Sequence, residues 1–539
     1  MYFQYPNIQD EWLLTFLSIL QLIVNILIVT ILLGIGIACV AFLIFDRKQK
    51  QHSVLRNYPV LARVRYFLES IGPELRQYLF LNDNEDKPFS RDQYQHIVLA
   101  GKYNERATSF GSELDYDDGF YLNNAMFPKQ RTELSIDNQT LISTFVYQIH
   151  RESLFSRKET LKSTDISPYY LDKAHYIKIG ENIRFPYYAK RLVGQSGMSF
   201  GALGSKAITA LSKGLGHAGT WMNTGEGGLS SYHLAGEADI IFQIGPGLFG
   251  VRHQDGSFSK DEFLKKAHHP RIKMFEIKLA QGAKTRGGHI DGQKVTEEVA
   301  EIRNVPSYET INSPNRFDFI DSPHALLKWV ATLRELSQKP VGFKIVVGNP
   351  NDVKKLVTAM VELNIFPDFI TVDGGEGGTG STFQELQDGV GLPLFTALPI
   401  VDGILKANGV REKVKIFASG KLVTPDKIAI ALALGADLVN IARGMMISVG
   451  CIMSRQCHKN TCPVGVATTD PKKERALVIE EKEYRVTNYI TSLHEGLFNI
   501  AAAVGVASPT EIGPEHVTVK NNNGTIQSIH DYQLKLIKS

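Results

Sequence analysis

The most extreme hydropathy pattern lies near the start of the chain. Positions 12 to 45 carry no charged residue, and Ile26 to Phe45 is an unbroken run of 20 residues in which only Thr30, Gly34 and Gly36 are neither strongly apolar nor Ala or Cys. At ~1.5 Å rise per residue, a helix of that length spans the ~30 Å hydrocarbon core of a bilayer. The pattern predicts a transmembrane helix over 26–45, preceded by an extracytoplasmic or amphipathic lead over 1–25. A cleaved signal peptide is the competing reading, but it asks for a basic start and an apolar stretch of only ~7–15 residues, and Met1 to Glu11 holds no Lys or Arg. Cations appear only after the run, at Arg47, Lys48, Lys50 and Arg56. By the positive-inside rule the expectation is a single-pass cell-membrane protein with its bulk on the cytoplasmic side.

From 46 to 184 the pattern is mixed. Helices are expected at Leu61–Ser70 and Gln93–Ala100 and a polar loop at Asn82–Lys87, with no catalytic constellation, so this extension reads as a structural module. Beyond Arg184 short apolar or β-branched runs alternate with longer helical stretches. Eight candidate strands stand out: Val193–Phe200, Thr220–Asn223, Ile240–Ile244, Ile272–Ile277, Val341–Val347, Phe369–Val372, Val414–Ala418 and Leu438–Ile441. Helical patterns such as Lys206–Lys213, His324–Glu335, Asn351–Leu363 and Asp426–Leu434 separate them. Eight βα units favour an α/β fold of the (β/α)₈ TIM-barrel type over 185–471, with 472–539 as a helical closing segment. Gln281–Ser322 is then an oversized loop after the fourth strand, on the barrel's catalytic face.

Composition narrows the function. The 539 residues hold 59 Lys+Arg against 56 Asp+Glu, a net charge of +3, and 43% are hydrophobic. That balance excludes a disordered chain and argues against a nucleic-acid partner. Four cysteines cannot form a disulfide framework, yet Cys451, Cys457 and Cys462 fall close together. Glycine is equally uneven: 31 of 46 lie within 191–290 and 371–450, as expected where backbone must approach a ligand closely.

Several motifs carry candidate chemistry. Gly214-Leu215-Gly216-His217-Ala218-Gly219 matches G-x-G-x-x-G, but it follows a helical pattern and runs into a strand, the reverse of a dinucleotide fingerprint. It reads as a helix C-cap. Ser419-Gly420-Lys421 and Ala442-Arg443-Gly444 end the last two strands, where barrels commonly cradle phosphate. A phosphate-bearing cofactor follows from that reading; two ordinary glycine turns are the bland alternative. Lys278 and Lys284 leave the fourth strand six positions apart, with Arg303 beyond, a set able to clamp a dicarboxylate or simply to be solvated. The three clustered cysteines suit an iron–sulfur loop, with Pro463 after the last; zinc with His458 as a fourth ligand, or buried and redox cysteines, stay open.

Taken together, Gly197-Met198-Ser199-Phe200-Gly201-Ala202, Asn223-Thr224-Gly225-Glu226-Gly227-Gly228, Lys278 to Lys284, Gly377-Gly378-Thr379-Gly380 and Cys457-His458-Lys459-Asn460-Thr461-Cys462-Pro463 resemble the FMN-binding domain of glutamate synthase, over roughly 185–505. The resemblance implies an oxidoreductase acting on CH–NH₂ groups, with FMN and a [3Fe-4S] cluster on Cys451, Cys457 and Cys462, forming glutamate from 2-oxoglutarate and ammonia. It implies Met198, Ser199 and Lys344 around the flavin ring, and Gly377, Gly378, Gly420, Arg443 and Gly444 along the flavin and its phosphate. Gln281, Lys278 and Arg303 would hold the oxo-acid, with Lys284 and Glu226 as catalytic groups at the reacting centre.

Three departures qualify it. No glutaminase nucleophile is visible, so ammonia or an ammonia-supplying subunit is expected, and with no pyridine-nucleotide module a separate electron donor or the membrane. The family's C-terminal glycine-repeat domain is also missing. His289 stands after Gly288 where the family has Gln, in a loop one residue shorter, which leaves related chemistry as an alternative: an N-methylglutamate synthase type of enzyme, another amino-acid oxidoreductase, or a non-catalytic electron-transfer subunit.

Overall fold

The computed structural model describes residues 11–109, 111–112, 117–153, 156–284 and 287–538. The chain forms two compact units that divide between Pro88 and Phe89.

In the first unit, a single helix runs from Glu11 to Lys48. It begins well before Ile26 because the uncharged, apolar pattern already starts at Trp12; residues 1–10 of the expected lead lie outside the described residues. Its apolar side chains face outward along its length, and from Leu14 to Lys48 it is long and apolar enough to cross a membrane. Short helix Ser53–Asn57 and helix Leu61–Leu75 follow, the latter continued by a π turn over Arg76–Phe80. Pro73 lies inside the Leu61–Leu75 helix and has no N–H to contribute, which loosens the ladder just ahead of that turn.

The second unit is built around eight parallel strands: β1 (Val193–Gln195), β2 (Trp221–Asn223), β3 (Asp239–Ile244), β4 (Ile272–Lys278), β5 (Val341–Ile345), β6 (Phe369–Asp373), β7 (Lys415–Ser419) and β8 (Leu438–Ile441). They close in chain order, β8 pairing back onto β1, into a barrel. All eight fall where the apolar runs place them. The expected (β/α)₈ architecture is therefore the observed one.

Side chains fill the barrel in layers. At the lower level Trp221 of β2 packs edge-on against Phe417 of β7, two strands that are not neighbours, so these rings occupy the interior, and Phe369 of the adjacent β6 packs edge-on against Phe417. Gly194 and Gly342 make this possible: a Cβ at Gly194 would lie 2.2 Å from the Trp221 ring, and one at Gly342 2.3 Å from the Phe369 carbonyl oxygen. Above them Glu276 of β4 is buried and accepts hydrogen bonds from Asn223 (2.8 Å), Gln243 (2.7 Å) and Thr371, tying β2, β3 and β6 together. The upper layer, at the strands' C-terminal ends, holds Lys278, Lys344, Asp373 and Ser419.

Helices surround the barrel, several with side-chain N-caps: Ser259, Ser322 and Asn349 accept from the backbones of Glu262, Ala325 and Asp352. The closing helix Ile479–Val504 lies against Ser205–Ala218. Gly214 is the contact point, since its Cβ would sit 2.4 Å from the Glu483 carbonyl oxygen, and Thr487 donates to the Gly214 carbonyl at 3.0 Å. The G-x-G-x-x-G run is thus only partly a cap. Gly219, at φ 70°, is the left-handed C-cap, while Gly214 and Gly216 are helix interior positions that admit close neighbours. Two further elements escape the hydropathy pattern: the antiparallel ribbon Ile142–Ser153 with Ser156–Ile166, and the small sheet of Gly119–Leu122, Val517–Lys520 and Ile526–Ser528. The long Gln281–Ser322 loop contains its own helix, Glu297–Arg303, and a short ribbon pairing His289–Ile290 with Ile311–Asn312.

Candidate functional site

A cavity of about 450 Å³, counting its open mouth, lies at the C-terminal face of the barrel. Ser196 and Gly197 after β1, Lys344 on β5, Asp373 ending β6, Ser419 to Val423 from the end of β7 onward and Asn440 to Gly444 from the end of β8 onward all line it. Gln281, Gly377 and Gly378 close one side and Phe89 another. Of the residues tied to a flavin by resemblance, Lys344, Gly377, Gly378, Gly420, Arg443 and Gly444 thus meet around a single cavity.

The backbone there is shaped by absent side chains. A Cβ on Gly378 would lie 2.6 Å from Arg443 Cδ, and one on Gly444 2.8 Å from the Tyr489 hydroxyl. After β7 the chain turns with Lys421 at φ 52°, a left-handed conformation that a Lys adopts only where surroundings hold it. Arg443 is held by a 2.8 Å bond to the Glu376 carbonyl and by its guanidinium lying 4.9 Å from the Phe89 ring centre. Burial pushes its pKa down, with Asp373 and Glu376 opposing. Lys344 Nζ pairs with Asp373 Oδ2 at 3.2 Å, and the same oxygen accepts from the Gly282 N–H at 2.8 Å.

Met198 and Ser199 follow β1. The Met198 carbonyl accepts from His233 Nε2 at 3.1 Å, while His233 Nδ1 is 2.7 Å from Ser230 Oγ. Burial lowers the His233 pKa to about 4, so the imidazole is neutral, and a donating Nε2 makes Nδ1 the acceptor for Ser230.

Beside this cavity the β2, β4 and long-loop residues converge. Lys278 Nζ is 3.0 Å from Glu226 Oε1. Burial raises the Glu226 pKa, but Lys278, Lys284 and Arg303 together outweigh it and hold the carboxyl ionised. Lys284 is buried, its ammonium 3.5 Å from the Ser381 carbonyl; desolvation first, then Lys278, lowers its pKa to about 8 against the pull of Glu226. Arg303 is buried too, lowered by desolvation to about 10 with Glu226 opposing. It donates to the Phe200 carbonyl at 3.0 Å and reaches Ser199 Oγ at 3.5 Å, while its Nε has no partner among the described residues. Gln281 donates to the Gly378 carbonyl at 2.9 Å, joining this group to the cavity wall. Among the described residues, three cations share the Glu226 carboxylate. Glycines press on that anion: a Cβ on Gly288 or Gly245 would stand 2.5 Å from a Glu226 carboxylate oxygen.

Cys462 is buried and Cys451 and Cys457 are half-buried. Burial raises the Cys451 thiol to about 12, with Cys457 and Cys462 adding to the rise, and Cys457 is raised by burial and Cys462 while Lys294 opposes. The thiols therefore stand close enough to feel one another's charge. Among the described residues, no group of three or more His, Cys, Asp or Glu side chains is drawn together tightly enough to hold a metal ion. Lys294 is buried beside them and donates to the carbonyls of Ala202 (2.7 Å), Cys457 (3.2 Å) and Ala467 (3.3 Å).

Residues 130–507 match the conserved region in glutamate synthase. The chain belongs to the glutamate synthase family. The glutamate synthase large subunit-like protein YerD of Bacillus subtilis is 56% identical over 514 residues, covering 94% of this chain and 98% of that one. The archaeal-type glutamate synthase [NADPH] of Thermotoga maritima is 28% identical over 490 residues, covering 88% of each chain. The glutamate synthase [NADPH] large chain of Azospirillum brasilense matches at 33% over 325 residues, 59% of this chain but 20% of that longer one. The family match covers the whole barrel and its cysteine loop, and every site residue above except Phe89 lies within it.

Sequence reasoning missed Asp373, Glu276, His233 and Lys294. Asp373 and Glu276 carried a signal, an acidic residue inside or ending an apolar strand. For His233 and Lys294 in irregular segments there was none.

Proposed function

We propose that this family member is a flavin-dependent oxidoreductase that forms glutamate from 2-oxoglutarate and ammonia. The observation that carries the reading is the charge count beside the barrel cavity: among the described residues, Lys278, Lys284 and Arg303 face the carboxylate of Glu226. On that count the described residues leave two positive charges in excess, which a dianionic dicarboxylate would balance. Charge-assisted bonds from Lys and Arg would orient both carboxylates.

The adjoining cavity fits flavin mononucleotide by its chemistry. The glycine-lined β7 and β8 turns with Lys421 and Arg443 suit the phosphate, and the Lys344–Asp373 pair supplies a cation for the ring. When bound, FMN would supply the hydride that turns the substrate's carbonyl-derived carbon into CH–NH₂. Glu226, kept ionised and oriented by Lys278, would accept an N–H from the nitrogen substrate through a carboxylate oxygen. Lys284 and Arg303 would hold the oxo-acid, and Gln281 would fix the β4 loop against Gly378 so that these groups stay aligned.

The same reading extends to iron–sulfur chemistry at Cys451, Cys457 and Cys462. Cys451 and Cys457, whose protons are held by burial, form with Cys462 a set of three soft sulfur donors that iron would suit, and the thiols must draw together to close on it. The apolar Glu11–Lys48 helix supports a membrane anchor, being longer than the hydrophobic stretch of a signal peptide. The basic residues after it favour a cytoplasmic catalytic unit. A separate electron donor and an ammonia source complete the proposal.

Purified protein, reduced anaerobically and mixed with 2-oxoglutarate and ammonium, should reoxidise its flavin and release glutamate. A flavin-loaded protein that is not reoxidised by this pair would refute the substrate assignment.

A further inference from the structure

The first unit carries an apolar surface that the proposed reaction does not use. Along helix Leu61–Leu75 and its π turn, Leu61, Val64, Leu68, Ile71, Leu75 and Tyr78 recur in alternating steps of three and four, which aligns them along one stripe. Phe67 and Leu79 widen it. Most of the stripe faces out, Leu61 at 74% exposed, Phe67 at 60% and Leu68 at 52%, while Ile71 and Leu75 are half-buried. Arg65, Glu69 and Ser70 lie away from it, with Arg65 Nε 2.8 Å from Glu69 Oε1. A helix so patterned is built to lay that face on something apolar.

The connection to the apolar helix indicates what covers it. Asp46, near the end of Glu11–Lys48, is fully buried. It accepts from the Val60 N–H at 3.0 Å and from Arg63 Nε at 3.1 Å, and pairs with Arg63 Nη2 at 2.6 Å. The Arg63 guanidinium also lies 4.0 Å from the Phe42 ring centre. His52, in the connecting turn, packs edge-on against Tyr66 at 5.1 Å. The corner pins the start of the amphipathic helix to the end of the apolar one, at the level where a spanned bilayer would pass from acyl chains to headgroups. Between Asp46 and Phe80 the chain holds Arg47, Lys48, Lys50, Arg56, Arg63, Arg65 and Arg76 against Asp46, Glu69 and Glu74, a net charge of +4. A cationic segment beside an apolar stripe complements an anionic lipid surface.

We propose that Leu61–Phe80 is an interfacial helix that lies in the headgroup layer of a membrane containing anionic lipid, its stripe turned into the acyl boundary. This is independent of the proposed chemistry and rests on the membrane anchor proposed with it. The full chain, reconstituted into phosphatidylcholine vesicles with and without phosphatidylglycerol, carries the test through Trp emission. Leu68→Trp and Val64→Trp place a reporter on the stripe and Ser70→Trp one opposite, with the wild-type signal of Trp12, Trp221 and Trp329 subtracted. With acyl-brominated lipid the stripe reporters should be blue-shifted and quenched several-fold more than the Ser70→Trp reporter, and quenching should strengthen with phosphatidylglycerol. Equal, unquenched emission on both faces would overturn the proposal. Stripe reporters shielded from water yet unquenched, with protein-concentration-dependent cross-linking between copies, would overturn it in favour of a helix pair between two chains. Failure of the full chain to float with vesicles would also overturn it, by removing the membrane itself.

Discussion

Replacing Lys284 by Met separates the energetics of the empty pocket from those of the filled one. In the empty pocket the ammonium is buried and repelled by Lys278 and Arg303, and its pKa falls from 10.5 to about 8. That gap corresponds to about 3 kcal/mol of differential penalty on the charged form. The folded state binds this proton less tightly than the unfolded chain does. The penalty is therefore fully present below pH ~8 and fades as pH rises toward ~10.5, so stability from this group increases across that window. Lys284→Met removes the charge while keeping most of the volume. At neutral pH the ligand-free variant should be more stable than the wild type by up to about 3 kcal/mol, less what the Ser381 contact contributes.

A dicarboxylate reverses the balance, because it favours the protonated amine. Binding of 2-oxoglutarate to the wild type, followed by calorimetry from about pH 6 to about pH 10, should be flat below pH ~8 and weaken up to tenfold per pH unit above it. Lys284→Met should bind roughly 10–100-fold more weakly at neutral pH, matching one lost charge-assisted hydrogen bond, and show no inflection near pH 8. Lys284→Arg, protonated throughout, should carry affinity past the wild-type inflection. A Met variant that melts earlier than wild type at neutral pH while binding the dicarboxylate equally well would refute the reasoning.

Other perturbations read other parts of the site. Gly378→Ala forces a methyl against Arg443, whose position is set by Glu376 and Phe89. Overpacking of about 1–3 kcal/mol should appear as reduced flavin content by absorbance, with the fold intact by circular dichroism. Cys457→Ser should lower iron and acid-labile sulfide per chain several-fold while flavin stays bound; equal iron in both proteins would remove Cys457 as a ligand. Glu276→Gln substitutes an amide for an acceptor of three hydrogen bonds, so at least one donor from β2, β3 or β6 loses its partner. The urea midpoint should fall by the equivalent of about 2–4 kcal/mol, and an unchanged midpoint would show that the network does not hold the barrel.

The barrel was legible because its strands are buried on both faces, against layered interior side chains on one side and helices on the other. Such strands read as continuous apolar runs, as in Ile240–Ile244 and Phe369–Val372, with glycine-rich turns marking their C-terminal ends. The Ile142–Ile166 ribbon was not legible for the opposite reason. Most of Ser156–Ile166 faces solvent, so Arg157, Lys158, Glu159 and Lys162 erase any alternation, and only cross-strand pairing reveals it. The substrate-side cations were visible as residue types near a strand end. That Lys284 and Arg303 are buried, however, depends on how the long loop folds back with its Glu297–Arg303 helix, a tertiary outcome that local pattern does not encode. The thiol loop was legible as spacing, whereas the placement of Lys294 beneath it arises from contacts across more than 160 positions.

Asp373 connects the two halves of the proposed site. Its Oδ2 accepts from the Gly282 N–H, which anchors the loop carrying Gln281 and Lys284, and pairs with Lys344 on the cavity side. One buried oxygen therefore sets both the position of the oxo-acid clamp and the charge beside the cofactor cavity. Asp373→Asn keeps the shape but removes the negative charge, leaving Lys344 buried without its counter-ion, a change that typically destabilises by about 3–5 kcal/mol unless the lysine deprotonates. If the two halves were independent, the variant would weaken flavin and leave dicarboxylate binding alone. Because Gly282 shares the acceptor, dicarboxylate affinity measured on the flavin-free protein should fall as well. A flavin-free Asn variant that binds 2-oxoglutarate like its parent would show that the loop is held by its other bonds, such as Gln281 to Gly378, and that the two halves are only neighbours.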